Sequence, residues 1–230
     1  LMTGPAGRGQ AEITILLTHT HWDHVQGLPF FTPMYLKGNV VRFYSPYPDI
    51  EERLVHQQDY RFFPVTLENM ASTRHFHHMK GPVRFEDSLT VDFLPLKHPG
   101  GSYAYRFREK GSTFIFATDT EFTGGYLEQM GNKAEFFMDA DLLVIDSQYT
   151  LDESFTKFDW GHTSYTMAVN CGINWRAKHL VLTHHEPGYY DFELSDILAN
   201  AIEHRNNAGS NSPDISIATE GTVFQLGDGA

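Results

Sequence analysis

The chain has 230 residues, 41% of them apolar and 20% charged, a balance that excludes a disordered or fibrous polymer and suits one large globular domain over residues 1–230. Seventeen basic residues against 29 acidic ones give a net charge of −12, and no basic stripe of the kind carried by long-polyanion binders is visible. No apolar run approaches the roughly 18–20 residues that span a bilayer, which argues against a membrane protein.

The N-terminal LMTGPAGRGQ lacks the apolar segment of a signal peptide. The single cysteine, Cys171, forms no internal disulfide, and together these features point to the cytoplasm. Thirteen histidines is a high count, and several follow directly on apolar runs.

In chain order, EITILLT (12–18) is apolar and β-branched and reads as a buried strand. It empties into the loop THTHWDHVQG, after which VQGLPFF (25–31) reads as the opening of a helix. NVVRFYSP (39–46) is a second strand, IEERLVHQQ (50–58) a helix, and FFPVTL (62–67) an extended segment. TRHFHHMKGP (73–82) has no clear period and reads as loop or edge. SLTVDFLPLKHPGG (88–101) is a strand followed by a glycine turn, and 102–121 a hairpin turning at EKGS. LLVID is a buried strand, and TSYTMAVNCGINW (163–175) a helix with Thr163 or Ser164 as N-cap. KHLVLTHHEP (178–187) is a strand, 192–207 an amphipathic helix, and 215–226 a closing hairpin. The alternation predicts one α/β domain with mixed sheets.

Strands repeatedly end in His or Asp: Thr18 leads to His19, Leu96 to His98, Thr118 to Asp119 and Thr183 to His184. Loops at strand ends, held by a rigid sheet, are where sites are built. The pattern H-x-H-x-D-H arises by chance roughly 0.003 times in a chain of this composition, so an incidental polar loop is a poor explanation. In an extended strand end, His19 and His21 point the same way and can share one metal; after a turn, Asp23 and His24 can face a second. Imidazole and carboxylate suit zinc, and also manganese or iron.

THTHWDHVQG resembles the signature loop of the metallo-β-lactamase superfamily. LKHPGG, FATDTE and LTHHEP fall in the order of that family's remaining ligands. IDSQYT and WGHTSY resemble the phosphodiesterase branch, which includes RNase Z and cyclic-nucleotide phosphodiesterases. The resemblance implies an αββα sandwich of two mixed sheets flanked by helices. It also implies two divalent ions, zinc first. His19, His21 and His98 would hold one ion, Asp23, His24 and His184 the other, with Asp119 bridging. His185 is the rival to His184. The only cysteine lies mid-helix, unlike the metal-ligand cysteine of true β-lactamases, and His21 is not the glutamate of the flavodiiron branch.

The family reading further implies a binuclear hydrolase in which a metal-bridging hydroxide, oriented by Asp23, attacks a phosphodiester. His162, matching a Gly-His-Ser/Thr histidine, would protonate the leaving group. Asp146 and Glu186 read either as partners of ligand imidazoles or as caps. His75, His77 and His78 read as a solvated loop, with the FFPV aromatics (62–65) as a weaker cleft-flanking element. Trp22 has no assigned role. The acidic balance, and the lack of a basic arm for tRNA, favour a small substrate such as a cyclic nucleotide. An RNase Z-like nuclease and a thioester or lactone hydrolase are the alternatives, and a homodimer is compatible with the family. Members carry a strand-rich segment of roughly 50 residues before the histidine loop. Only about a dozen residues precede the first strand here, so the N-terminal strands of the sandwich are expected to be missing from this chain.

Overall fold

The computed structural model describes residues 2–86 and 88–227. The chain divides into two compact units, Leu1–Gly81 and Pro82–Ala230.

The first unit carries a three-stranded sheet in the order β1 (Glu12–Leu16), β2 (Val40–Ser45), β3 (Thr73–His78), every pair parallel. Side chains alternate along β2, so Val41 and Phe43 are fully buried while Arg42 and Tyr44 lie on the other face. Phe43 stacks on Phe76 of β3 with ring centroids 5.1 Å apart. The TRHFHH segment is therefore an edge strand, paired in register with β2 along its length. α2 (Ile50–Gln57) buries Ile50 and Leu54, four residues apart and so on one face.

Two expectations fail in this unit. VQGLPFF does not open a helix: α1 (Trp22–Val25) lies within the histidine loop, and only a 3₁₀ turn, Leu28–Phe30, follows it. Pro29 has no N–H to donate, and Pro33 begins the next turn in the same way. FFPVTL is not an extended strand: the amides of Phe62 and Phe63 both donate to the Asp59 carbonyl, which curls the chain.

The second unit carries a seven-stranded sheet in the order β10-β9-β8-β7-β6-β5-β4. Its strands are β4 (Val83–Phe85), β5 (Leu89–Leu96), β6 (Ser102–Glu109), β7 (Ser112–Ala117), β8 (Leu142–Asp146), β9 (His179–Thr183) and β10 (Asp214–Ile217). β7 to β10 are parallel, and β4 to β7 antiparallel. The β6–β7 hairpin turns at Lys110 and Gly111, both at positive φ, as a tight two-residue turn requires. The expected closing hairpin is absent among the described residues. β10 instead pairs in parallel with β9, because an apolar alternation specifies a buried face and not a partner.

Helices α3 (Gly124–Met130), α4 (Leu151–Thr156), α5 (Tyr165–Asn174) and α6 (Asp191–Asn207) complete this unit. Ser164 caps α5 through a hydrogen bond from Met167 N, settling the choice between Thr163 and Ser164. Ile115, Ile145 and Leu182 from the sheet join Ala168, Cys171 and Trp175 of the α5 region, and Ile197 and Ala201 of α6, in one apolar cluster. No helix among the described residues is long and apolar enough to cross a membrane.

This topology matters for chemistry. β7, β8 and β9 are neighbouring parallel strands, so Asp119, Asp146 and His184 leave the sheet at the same edge. β5 is antiparallel to β6, which is antiparallel to β7, so His98 leaves at that edge too. The carboxyl ends of parallel strands are the usual place for a site in an open α/β sheet.

Candidate functional site

In the first unit, the end of β1 delivers the histidine loop. The His19 ring lies 4.6 Å from that of His21 and 4.2 Å from that of His24, centroid to centroid. Asp23 Oδ2 is 3.2 Å from His24 Nε2. The Thr18 hydroxyl and His19 Nδ1 share a hydrogen bond of 3.1 Å. Arg53 ties the loop to α2 by donating to Thr20 Oγ1 at 3.3 Å and to Asp49 Oδ2 at 3.0 Å. That contact holds the Asp49 carboxyl below its usual range. Trp22 is 64% exposed and lines a cavity of about 190 Å³ with Arg53, His56 and Gln57.

In the second unit, Asp119 is the centre. Its Oδ1 lies 3.2 Å from His184 Nε2 and 3.9 Å from His98 Nε2. One carboxylate oxygen thus addresses two imidazoles from different strand ends. Asp119 and His184 both sit in the left-handed region, at φ 57° and 58°. A non-glycine residue pays for that conformation, and such residues gather at functional sites. The Asp119 backbone is pinned by Ser102, whose hydroxyl donates to its carbonyl at 2.6 Å, and Thr118 Oγ1 donates to Asp119 Oδ2 at 2.6 Å.

The WGHTSY segment orients the imidazoles. His98 Nδ1 donates to the Gly161 carbonyl at 2.9 Å, so the proton sits on Nδ1 and the Nε2 lone pair is directed to the Asp119 side. Gly161 has φ +92°, and a Cβ there would lie 2.3 Å from Pro99 Cδ and 2.4 Å from His98 Nδ1. Only glycine lets the backbone approach this closely.

His162 packs between two of the predicted ligands. Its ring is stacked on His184 at 4.8 Å and stands edge-on to His98 at 5.1 Å. Its Nδ1 donates to Asp146 Oδ2 at 2.8 Å. Asp146 is wholly buried and also accepts from the amides of Thr120, Gln148 and Thr163. Asp146 is thus both a cap and the partner of an imidazole, and that imidazole is His162 and not a predicted ligand. The Tyr149 phenol, 5.8 Å from His162 between ring centroids, is pushed up to about 12 by burial, helped by the charges of Glu186 and Asp146.

Ligand atoms of His98, Asp119 and His162 lie within 4.8 Å of one another, as do those of Asp146, His162 and His184. Imidazole nitrogen and carboxylate oxygen at such spacing is the donor chemistry of a divalent transition-metal site, so the residues present fit the ions that the sequence implies. Of the LTHHEP pair, it is His184 that approaches Asp119. Glu186 accepts from Lys157 Nζ at 3.1 Å, which makes it a salt-bridge partner. His75 and His77 belong to no three-residue ligand cluster among the described residues, and His77 stacks on Tyr44 at 4.4 Å.

Sequence reasoning missed Glu121. It is buried, takes Lys97 Nζ at 3.2 Å on Oε1, and accepts the Gly161 amide at 3.2 Å on Oε2. Its position two residues beyond Asp119 was the only signal.

A family model described as the beta-lactamase superfamily domain matches residues 5–185. The chain belongs to this superfamily. As a beta-lactamase superfamily member it is a metal-dependent hydrolase. It is 25% identical over 244 residues to a ribonuclease Z of Picosynechococcus sp., covering 81% of this chain and 73% of the relative. The metallo-β-lactamase fold protein YhfI from Bacillus subtilis superposes with a TM-score of 0.66 at 20% identity, covering 92% of this chain and 76% of that one. Human tRNase Z, short form, gives 0.65 at 17% identity, covering 93% and 79%. The two structures establish the metallo-β-lactamase fold.

Proposed function

We propose that this chain hydrolyses a phosphodiester with two divalent ions, zinc foremost, held by His19, His21, Asp23, His24, His98, Asp119 and His184. The observation that carries the reading is Asp119 Oδ1, placed between His184 Nε2 at 3.2 Å and His98 Nε2 at 3.9 Å as a shared carboxylate would be. Membership of the superfamily supports drawing the first unit's histidine loop into the same centre.

Bound divalent ions would supply positive charge against the phosphoryl oxygens and acidify water. The chain's own residues supply orientation and protons. His98 is held in one tautomer by the Gly161 carbonyl. His162, held at Nδ1 by Asp146, presents Nε2 to protonate the leaving oxygen. The buried Asp146 carboxylate stabilises the imidazolium before that transfer and fixes the ring's direction, which is the role of a positioning residue.

A small diester such as a cyclic nucleotide remains the favoured substrate, on the net charge of −12. RNA processing is the second reading, supported by the ribonuclease Z relatives. Parallel assays on bis(4-nitrophenyl) phosphate, a cyclic-nucleotide panel, precursor tRNA and a thioester separate them. Cleavage of the thioester alone would overturn the phosphodiester reading.

A further inference from the structure

A cavity of about 380 Å³ opens beside His162 in the second unit. Its walls are apolar: Phe122, Leu151, Phe155, Phe158 and Met167. Three of these belong to the short segment 151–158 and are left in solvent, Leu151 at 47%, Phe155 at 74% and Phe158 at 62% exposed. Large apolar side chains grouped at the mouth of one cavity mark a binding surface rather than ordinary surface scatter.

The segment that presents them is firmly held. Thr150 and Glu153 form a capping box at the start of α4, and the Tyr189 hydroxyl also donates to Glu153. Lys97 Nζ sits 5.0 Å from the centre of the Phe158 ring, a cation–π contact that fixes it from one side.

Most polar groups of the wall already have partners inside the protein. Ser154 Oγ donates to the Leu151 carbonyl at 2.6 Å, and Thr123 Oγ1 accepts from Tyr126 N as a helix cap. Ser164 Oγ caps α5, Glu121 holds Lys97 and the Gly161 amide, and Lys157 is bridged to Glu186. The cavity therefore offers mainly ring faces and aliphatic surface, with His162 at its side, and few uncommitted polar groups with which to read the edge of a base.

We propose that this cavity takes a planar aromatic ring, aryl or nucleobase, carried by the leaving alcohol of the phosphodiester. The proposal rests on the phosphodiester reading and deepens it. As the P–O bond breaks, its electron pair stays on the leaving oxygen, which takes the proton from His162 Nε2; the ring beyond that oxygen lies in the cavity. Selection is by face and not by edge, so the site favours aromatic over alkyl leaving groups and discriminates little among bases.

The test uses phenylphosphonate and methylphosphonate, which share a headgroup and differ in the ring. Each is titrated calorimetrically into the metal-loaded protein, and its inhibition of bis(4-nitrophenyl) phosphate hydrolysis is measured. Phenylphosphonate should bind about tenfold tighter, the return expected from burying part of one ring. In the double variant Phe155→Ala, Phe158→Ala the ratio should fall to within about twofold, with metal content unchanged. Both side chains are solvent-exposed, so the variant retains its core. Equal binding of the two phosphonates by the wild type, or a preference that survives in the variant, overturns the proposal. So does a wild-type dimer in sedimentation that the variant loses, which would assign the aromatics to a second copy. The calorimetric ratio can be read even if no diester is cleaved, so failure of the phosphodiester reading and failure of the aromatic cavity are told apart.

Discussion

His162 Nδ1 donates to Asp146 Oδ2 at 2.8 Å, and the carboxylate that receives it has no exposed surface. A histidine held in this way keeps one tautomer and one direction. His162→Ala should lower turnover by about 10²–10⁴-fold, the usual range for losing a general acid. Metal analysis of the same variant should still find two ions per chain. Wild-type turnover would end the assignment.

Asp146→Asn separates orientation from charge. The new amide has to face a site where four donors already converge: the His162 ring and the amides of Thr120, Gln148 and Thr163. A mismatch at a buried polar group costs about 1–3 kcal/mol. Denaturant unfolding should register that loss, and kcat should fall more than KM changes. An unaltered unfolding midpoint would show that the network is dispensable.

Gly161→Ala tests how His98 is held. The left-handed φ of +92° costs a residue with Cβ about 1–2 kcal/mol, and the Cβ would fall 2.4 Å from His98 Nδ1. The ring must move, so the variant is expected to lose metal and activity together. Full metal occupancy with full activity would contradict the role given to the carbonyl contact.

Asp119→Asn keeps a side chain that tolerates φ 57° while removing the charge. The fold should persist by circular dichroism, and bound metal should drop below two per chain. A variant that retains both ions would remove Asp119 from the bridging position.

Cys171 offers a probe of the core away from the site. Burial pushes its thiol far above the ordinary cysteine range, so the thiolate is scarce in the native state. Iodoacetamide labelling at pH 8 should follow global unfolding across a denaturant series. Rapid labelling of the native protein would mean that the α5 face opens on its own.

Where the sequence was legible, a single physical signal sufficed. EITILLT, LLVID and KHLVLT are apolar and β-branched, and each is a strand with a candidate site residue at or near its end: His19, Asp146 and His184. TRHFHH was ambiguous because its histidines hide the alternation that Phe76 alone carries. α4 was invisible to periodicity because it buries no residue; the Thr150–Glu153 capping box holds it instead. The closing segment had a strand pattern, but its partner, β9, lies more than 30 residues back and was chosen by packing. The strand-end positions of His98, Asp119 and His184 could be read from the sequence. The division of work among Asp146, Glu121 and Gly161 could not, because each acts through a residue distant in sequence.

Phosphodiester hydrolysis by a bound metal centre is directly measurable. The most direct measurement is release of 4-nitrophenolate from bis(4-nitrophenyl) phosphate by the metal-loaded protein, with the bound metal quantified in the same sample. Two divalent ions per chain and steady hydrolysis, abolished by a chelator and restored by zinc or manganese, is the predicted result. Two bound ions with no hydrolysis of this or any other phosphodiester would contradict it.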